Sequence, residues 1–233
     1  MTGELGCVTT AAGAFVGTHL LLSYPLRAPL IGMLGARGFL LAYSLVAVGT
    51  LGWLVQAYRA SAATPMLWPV GDAIWATATV VMLGASVLFM GSLVRNPAFP
   101  TGGAPAAVPV EARGVYAVTR HPMMWAFALW GGTHVAVYPV AANLVLAGAV
   151  VFLALGGSAL QDAKKSAAEP GWRAWRARTS YWPFAAIVAG RARFGGFGGH
   201  AIGGGVVLWL AATWAHIPLA GWAAGIWRWV LPS

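Results

Sequence analysis

The stretch "RHPMMWAFALWGGTHV", residues 120–135, joins an arginine and a histidine to a long apolar run that contains a second histidine. Only 8% of the 233 residues are charged and 59% are hydrophobic, whereas soluble domains carry about 25% charged residues. Such a chain has too little polar surface to cover a water-soluble globule. Because proline is favoured in the first turn of a helix, the stretch predicts a membrane-spanning helix that begins at Pro122.

Apolar segments of similar length recur along the chain, and about 20 apolar residues cross a bilayer. They predict six spans, at roughly 5–25, 38–57, 73–94, 122–139, 141–160 and 201–222. The fourth and fifth are joined by a short turn at Tyr138-Pro139, which predicts an antiparallel hairpin. The expected fold is an all-α, polytopic membrane helical bundle. Residues 1–191 form its predicted membrane domain with five spans, and residues 192–233 supply a C-terminal transmembrane helix.

Two of the predicted loops have distinctive compositions. Residues 96–109, "NPAFPTGGAPAAVP", are rich in proline, glycine and alanine and predict a linker or a lid. Residues 169–182, "EPGWRAWRARTSYW", place tryptophans among arginines before the last span. That mixture is typical of a helix that lies in the membrane interface, either as an anchor or as the cover of a cytoplasmic-side pocket.

The distribution of positive charge predicts the orientation of the bundle. Twelve of the 14 lysines and arginines fall in loops on one side of the predicted spans. By the positive-inside rule these loops face the cytoplasm of a bacterial inner membrane, with both termini in the periplasm. The net charge of +9 then reflects topology and contact with anionic headgroups rather than nucleic-acid binding. The single cysteine, Cys7, excludes an internal disulfide and a multi-cysteine metal site.

The histidines are the main candidates for chemistry inside the membrane. His121 and His134 lie about 20 Å apart along a helix, by a rise of 1.5 Å per residue, so they serve different sites. His19 and His134 fall inside different spans, which leaves two alternatives open. They bind a metal or haem, since imidazole is a common iron ligand, or each donates a hydrogen bond between helices. His216, near the outer end of the last span, is a third candidate ligand. By depth in the membrane it pairs with His134 as well as His19 does.

Carboxylates are scarce, and none lies deep in a predicted span. This argues against an ion-coupled transporter with buried acids and against a carboxylate-bridged di-iron site.

Three motifs together resemble the NnrU family of bacterial membrane proteins: residues 120–135, "QDAKK" at 161–165 and "RTSYWPFAAI" at 178–187. The resemblance extends from about Phe15 to Arg191. NnrU proteins are associated with denitrification, in particular with the expression of nitrite and nitric oxide reductases. The family is similar to zeta-carotene isomerase, a membrane enzyme that contains haem b.

The resemblance implies a haem b site with His19 and His134 as iron ligands, and with Trp130, Phe127 and Phe15 as candidate wall residues. Iron with two histidine ligands suits electron transfer or redox sensing, and loss of one ligand opens a site for a small gas or an apolar polyene. The implied roles are a redox, haem-handling or gas-responsive factor, with a respiratory reductase or its assembly machinery as partner.

Enzymatic cis-trans isomerisation of a polyene is a separate possibility that the resemblance leaves open. The isomerase carries a cysteine three residues before its second histidine ligand, and this chain has Gly131 there. A switch of the iron to that cysteine is therefore excluded here.

The Arg-His-Pro motif also resembles membrane methyltransferases that use S-adenosylmethionine. In that interpretation Arg120, His121 and Asp162 form a polar cytoplasmic pocket for a nucleotide-like cofactor. The acidic pair of those enzymes is not intact, because Asp162 is followed by Ala163. The alternative is an ion pair between Arg120 and Asp162 that ties two loops together.

Overall fold

The computed structural model describes residues 2–99, 108–109 and 111–231, and regular secondary structure within them is helical. The helices are α1 Thr2–Ser23, α2 Arg27–Ala60, α3 Asp72–Ser92, α4 Val115–Val118, α5 Pro122–Val137, α6 Ala141–Ala168, α7 Pro170–Arg178, α8 Ala185–Val188, α9 Gly199–Ala220 and α10 Trp227–Val230. Most of the predicted linker, residues 100–107, lies outside the described residues.

Five helices of the described chain, α1, α2, α3, α6 and α9, are long and apolar enough to cross a membrane. The prediction of an all-α membrane helical bundle is confirmed. The fourth predicted span is present as α5, but α5 has only 16 residues and is therefore about 24 Å long. This is shorter than a hydrocarbon core of about 30 Å. Pro122 begins the helix one residue after the buried His121, and the turn before α6 ends it.

The second predicted span begins earlier than expected. Helix α2 starts at Arg27 and bends at Gly35, which has φ 69° and ψ 168°. Glycine adopts positive φ without steric cost, so the chain changes direction there without a loop. Arg27 and Arg37, expected in a loop, consequently lie in the helix. The Arg27 guanidinium lies 5.0 Å from the centre of the Phe39 ring across the bend.

The long helices pack in a series in which each packs mainly against one or two others. Helix α3 packs against α5 and α9, α5 packs against α6, and α6 packs against α1, which in turn packs against α2. The predicted α5–α6 hairpin is therefore present. The Asn143 amide closes its turn, because Nδ2 donates hydrogen bonds to the carbonyls of His134 at 2.9 Å and Tyr138 at 2.7 Å.

The predicted interfacial segment forms helix α7, but its tryptophans face the protein. Trp172 and Trp175 are fully buried and pack in a core cluster with Tyr116 and Val118. Trp182, just after the helix, is 62% exposed. Helix α7 is thus held to the bundle by two tryptophan side chains, because α3 and α4 supply an apolar surface for them.

Candidate functional site

Arg120, His121 and Asp162 come together where α5 begins beside the far end of α6. Arg120 Nε donates to Asp162 Oδ2 at 2.6 Å, and its terminal nitrogen forms an ion pair with the same oxygen. His121 Nε2 lies 2.8 Å from Asp162 Oδ1. Trp172 Nε1 donates to that oxygen at 3.2 Å. We call these four residues the Asp162 cluster. The ion pair considered from the sequence is therefore formed, and it ties α5 to α6.

The Asp162 cluster is almost closed to solvent. Arg120, His121 and Asp162 are 6%, 2% and 5% exposed. The His121 ring lies between Trp172 and Tyr181, with ring centres 5.9 and 5.8 Å away. Its Nδ1 atom is buried and has no hydrogen-bond partner among the described residues. Burial lowers the pKa of His121 below its usual 6.5, although the hydrogen bond and charge of Asp162 oppose the shift. His121 is therefore neutral at pH 7.

Acidification is expected to destabilise the protein through His121. The unfolded chain takes up a proton near pH 6.5, whereas the folded chain resists protonation until its lowered pKa is reached. The contribution is thus complete above pH 6.5 and is lost as the pH falls through the lowered folded-state pKa. Melting temperatures between about pH 8 and about pH 5 should fall less in His121→Gln than in the wild type. The exposed His200→Gln should keep the wild-type dependence; an unchanged slope in His121→Gln contradicts the assignment.

A cavity of about 480 Å³ opens beside the Asp162 cluster. Its lining includes four arginines, namely Arg120, Arg173, Arg176 and Arg191, together with Ser180 and Trp182. We call it the arginine cavity. Sequence reasoning placed Arg120 in a polar pocket. It used Arg173, Arg176 and Arg191 only for topology and for an interfacial segment that is an anchor or the cover of a pocket. The spacing of Arg173 and Arg176, three residues apart on one helix face, was the available signal.

Near the opposite end of α5, the rings of His134 and His216 lie 6.1 Å apart between their centres. They line a cavity of about 90 Å³ enclosed by α3, α5, α9 and the segment after α9. Trp130 stacks on His134 with ring centres 4.2 Å apart, and Trp222 lies 6.3 Å from His216. We call this site the histidine cleft. From the sequence, only a similar depth in the membrane suggested that His134 and Trp130 lie near His216.

His19 is not among the residues that line the histidine cleft. It is on α1, with its ring 4.5 Å from Phe15 and 5.5 Å from Tyr43, a residue of α2. Helix α6 packs against both α1 and α5. The pairing of His19 with His134 on one iron stays a prediction.

The three intramembrane histidines share one local feature. Their Nδ1 atoms lie within hydrogen-bond distance of the carbonyl oxygen four residues earlier, at 2.6 Å for His19 and 2.8 Å for both His134 and His216. A carbonyl only accepts, so Nδ1 carries the proton and Nε2 keeps its lone pair. This is the tautomer in which Nε2 serves as a metal ligand.

Gly131, at the position of the isomerase cysteine, faces α6 rather than open space. A Cβ there would lie 2.6 Å from a methyl of Val151 and 2.9 Å from the carbonyl oxygen of Ala147. Gly132 has no atom within 4 Å of such a Cβ. Glycine at 131 therefore serves close packing of α5 on α6.

Comparison with known proteins gives one finding. The family model described as NnrU protein matches residues 8–224, nearly the whole chain. Comparison with the curated proteins gives no match, and neither does comparison with solved structures.

Proposed function

Because the chain belongs to the NnrU family, we propose that it is a haem b-binding protein of the bacterial inner membrane that supports denitrification. Its role is redox, haem-handling or gas-responsive, in the expression or maturation of nitrite and nitric oxide reductases. The observation that carries the proposal is the pairing of His134 with His216 across the histidine cleft, with ring centres 6.1 Å apart.

The spacing of these two rings supports a shared metal. A nitrogen lies about 1.2 Å from the centre of its imidazole ring, and N–metal bonds are about 2.0–2.1 Å long. Two imidazoles on opposite sides of one ion therefore have ring centres about 6.5 Å apart. The separation of His134 and His216 is close to this value. With Nδ1 of each ring held by a backbone carbonyl, Nε2 is the free donor on both.

The surroundings also suit a flat apolar cofactor. The lining of the histidine cleft is rich in tryptophan, with Trp75, Trp130, Trp209 and Trp222. Haem iron with two imidazole ligands supplies one-electron redox chemistry, and loss of one ligand frees a position for a small gas. In this cleft His134 and His216 would hold the haem, and the surrounding tryptophans would exclude water from it.

The size of the cleft sets a condition on haem binding. Its volume of about 90 Å³ is below the roughly 300–1,000 Å³ of ordinary small-molecule sites. Haem binding therefore requires the tryptophan side chains that line the cleft to move aside, while His134 and His216 keep their spacing.

An absorption spectrum of the detergent-purified protein, oxidised and dithionite-reduced, tests the proposal. The wild type is expected to show a Soret band that shifts on reduction. His134→Ala and His216→Ala should each remove or shift it, whereas the exposed His200→Ala should not. A band that responds to His19→Ala and His134→Ala but not His216→Ala retains haem and overturns the ligand pair. The absence of a band after haem supply overturns the proposal.

The proposed function includes an orientation of the protein in the inner membrane. With both termini in the periplasm, the histidine cleft lies toward the periplasmic side and the arginine cavity opens to the cytoplasm. A gas or a periplasmic reductase partner then meets the cleft from its nearer side. Cysteine-specific labelling in intact cells tests this, with Cys7→Ser to remove the single cysteine and Ala63→Cys in the exposed loop between α2 and α3. An impermeant maleimide should react at position 63 without lysis, and reaction only after lysis overturns the orientation.

A further inference from the structure

We propose that the arginine cavity binds a phosphate-bearing anion, either a soluble phosphate compound or the headgroup of an anionic lipid. The cavity holds about 480 Å³ and is lined by four arginines. That volume lies in the range of small-molecule sites. A guanidinium presents a planar fork of donors that matches phosphate oxygens, and several around one space favour a ligand with more than one negative oxygen.

The guanidinium groups are held in place before any ligand arrives. Arg191 Nη1 donates to the carbonyls of Ala177 at 3.0 Å and Thr179 at 2.9 Å. Arg176 Nη1 donates to the Ser166 hydroxyl at 2.7 Å. Arg176 and Arg191 each use one terminal nitrogen in these hydrogen bonds, so their other guanidinium N–H groups remain available to a ligand. Fixing the side chains in advance reduces the entropy that binding must overcome.

The positive charge of the cavity is not neutralised by the described carboxylates. Asp162 is engaged by Arg120 and His121, and Glu169 pairs with Lys165 at 3.5 Å. Among the described residues no carboxylate lies within ion-pair distance of Arg173, Arg176 or Arg191. With only five acidic residues in the chain, these three arginines leave a net positive charge at the cavity, which favours an anionic ligand.

A buried charge forms part of the cavity wall. Arg120 is 6% exposed and lines the cavity while it binds Asp162. Occupancy of the cavity is therefore linked to the Asp162 cluster through this one side chain. The site lies at the start of α5, about 20 Å along that helix from His134 by its rise per residue. The proposal is thus independent of haem binding at the other end.

The test uses the full chain purified in an uncharged detergent and two probes. Inorganic pyrophosphate represents a soluble phosphate compound, and phosphatidylglycerol in mixed micelles represents a lipid headgroup. The cavity variant combines Arg173→Gln, Arg176→Gln and Arg191→Gln. The control variant combines Arg37→Gln, Arg113→Gln and Arg193→Gln, which removes the same charge from exposed positions outside the cavity lining. Melting temperature is followed as each probe is titrated, with sodium acetate at equal ionic strength as the reference.

The expected result is a rise in melting temperature of the wild type and the control variant with at least one probe. The apparent affinity of the cavity variant should be lower by about tenfold to a hundredfold, from loss of charged hydrogen bonds. A response to pyrophosphate identifies a soluble ligand, and a response to phosphatidylglycerol alone identifies a headgroup. Equal weakening in both variants, or no response of the wild type to either probe, overturns the proposal. If the cavity variant does not fold, Arg176→Gln alone replaces it, with the same criteria.

Discussion

Replacement of Asp162 by alanine is expected to lower the free energy of unfolding by about 3–5 kcal/mol, the usual cost of breaking a buried ion pair from one side. Asp162 accepts hydrogen bonds from Arg120, His121 and Trp172. Its removal leaves the Arg120 charge, only 6% exposed, without a partner in a poorly solvated place. The melting temperature of the protein in detergent micelles, compared with the wild type at pH 7.5, measures the effect.

Asp72 provides a matched control because it pairs with Arg228 at 3.2 Å on the surface, with 74% of its side chain exposed. Asp72→Ala should change the free energy of unfolding by about 0–1 kcal/mol, as exposed ion pairs do. Comparable losses in the two variants contradict the view that burial gives the Asp162 cluster its stability. A double variant, Arg120→Met with Asp162→Leu, should recover part of the loss because no unpaired charge remains.

Gly205→Ala is expected to destabilise the contact between α9 and α3 by about 1–3 kcal/mol, the usual cost of overpacking. A Cβ at Gly205 would lie 2.7 Å from the Cα and 2.9 Å from the backbone nitrogen of Val87. Backbone atoms of a helix cannot turn aside, so the two helices have to separate. Thermal unfolding in micelles, and the haem spectrum if the histidine cleft binds haem, report the change.

Gly203→Ala is the control for this prediction, since a Cβ there meets no atom within 4 Å. It should be neutral or slightly stabilising, because alanine favours a helix over glycine by up to about 1 kcal/mol. If both alanine variants behave alike, close approach of α9 to α3 is not what Gly205 provides.

Hydropathy and charge predicted the class of fold but not the neighbours within it. The spans were located because apolar length is a local property of the chain. Which helix faces which was not predictable, since helices such as α3 and α5 are apolar over most of their surface and show no distinct contact face. The contact of α9 with α3, which brings His216 to His134, depends on small residues such as Gly205 that hydropathy does not weigh.

Local backbone features also escaped the sequence interpretation. The bend at Gly35 continues α2 where a loop was expected, because one glycine with positive φ turns the chain inside an apolar run. The Asp162 cluster was anticipated in its charged members, since the Arg-His-Pro motif and the later acid were visible. Trp172 was missed as a hydrogen-bond donor to Asp162, because the sequence placed it only in an interfacial segment that is an anchor or the cover of a pocket.

The Asp162 cluster has a consequence for how the protein is made. Arg120 and Asp162 are 42 residues apart in the chain, and translation proceeds at about 5–20 residues per second. The arginine and the adjoining histidine therefore leave the ribosome about 2–8 seconds before the acid that satisfies them. In that interval helix α5 is synthesised, and α6 is synthesised as far as Gln161, before the ion pair between Arg120 and Asp162 can form. The ion pair can form only after Asp162 is made, so the order of synthesis favours insertion of the hairpin before the Asp162 cluster closes its end.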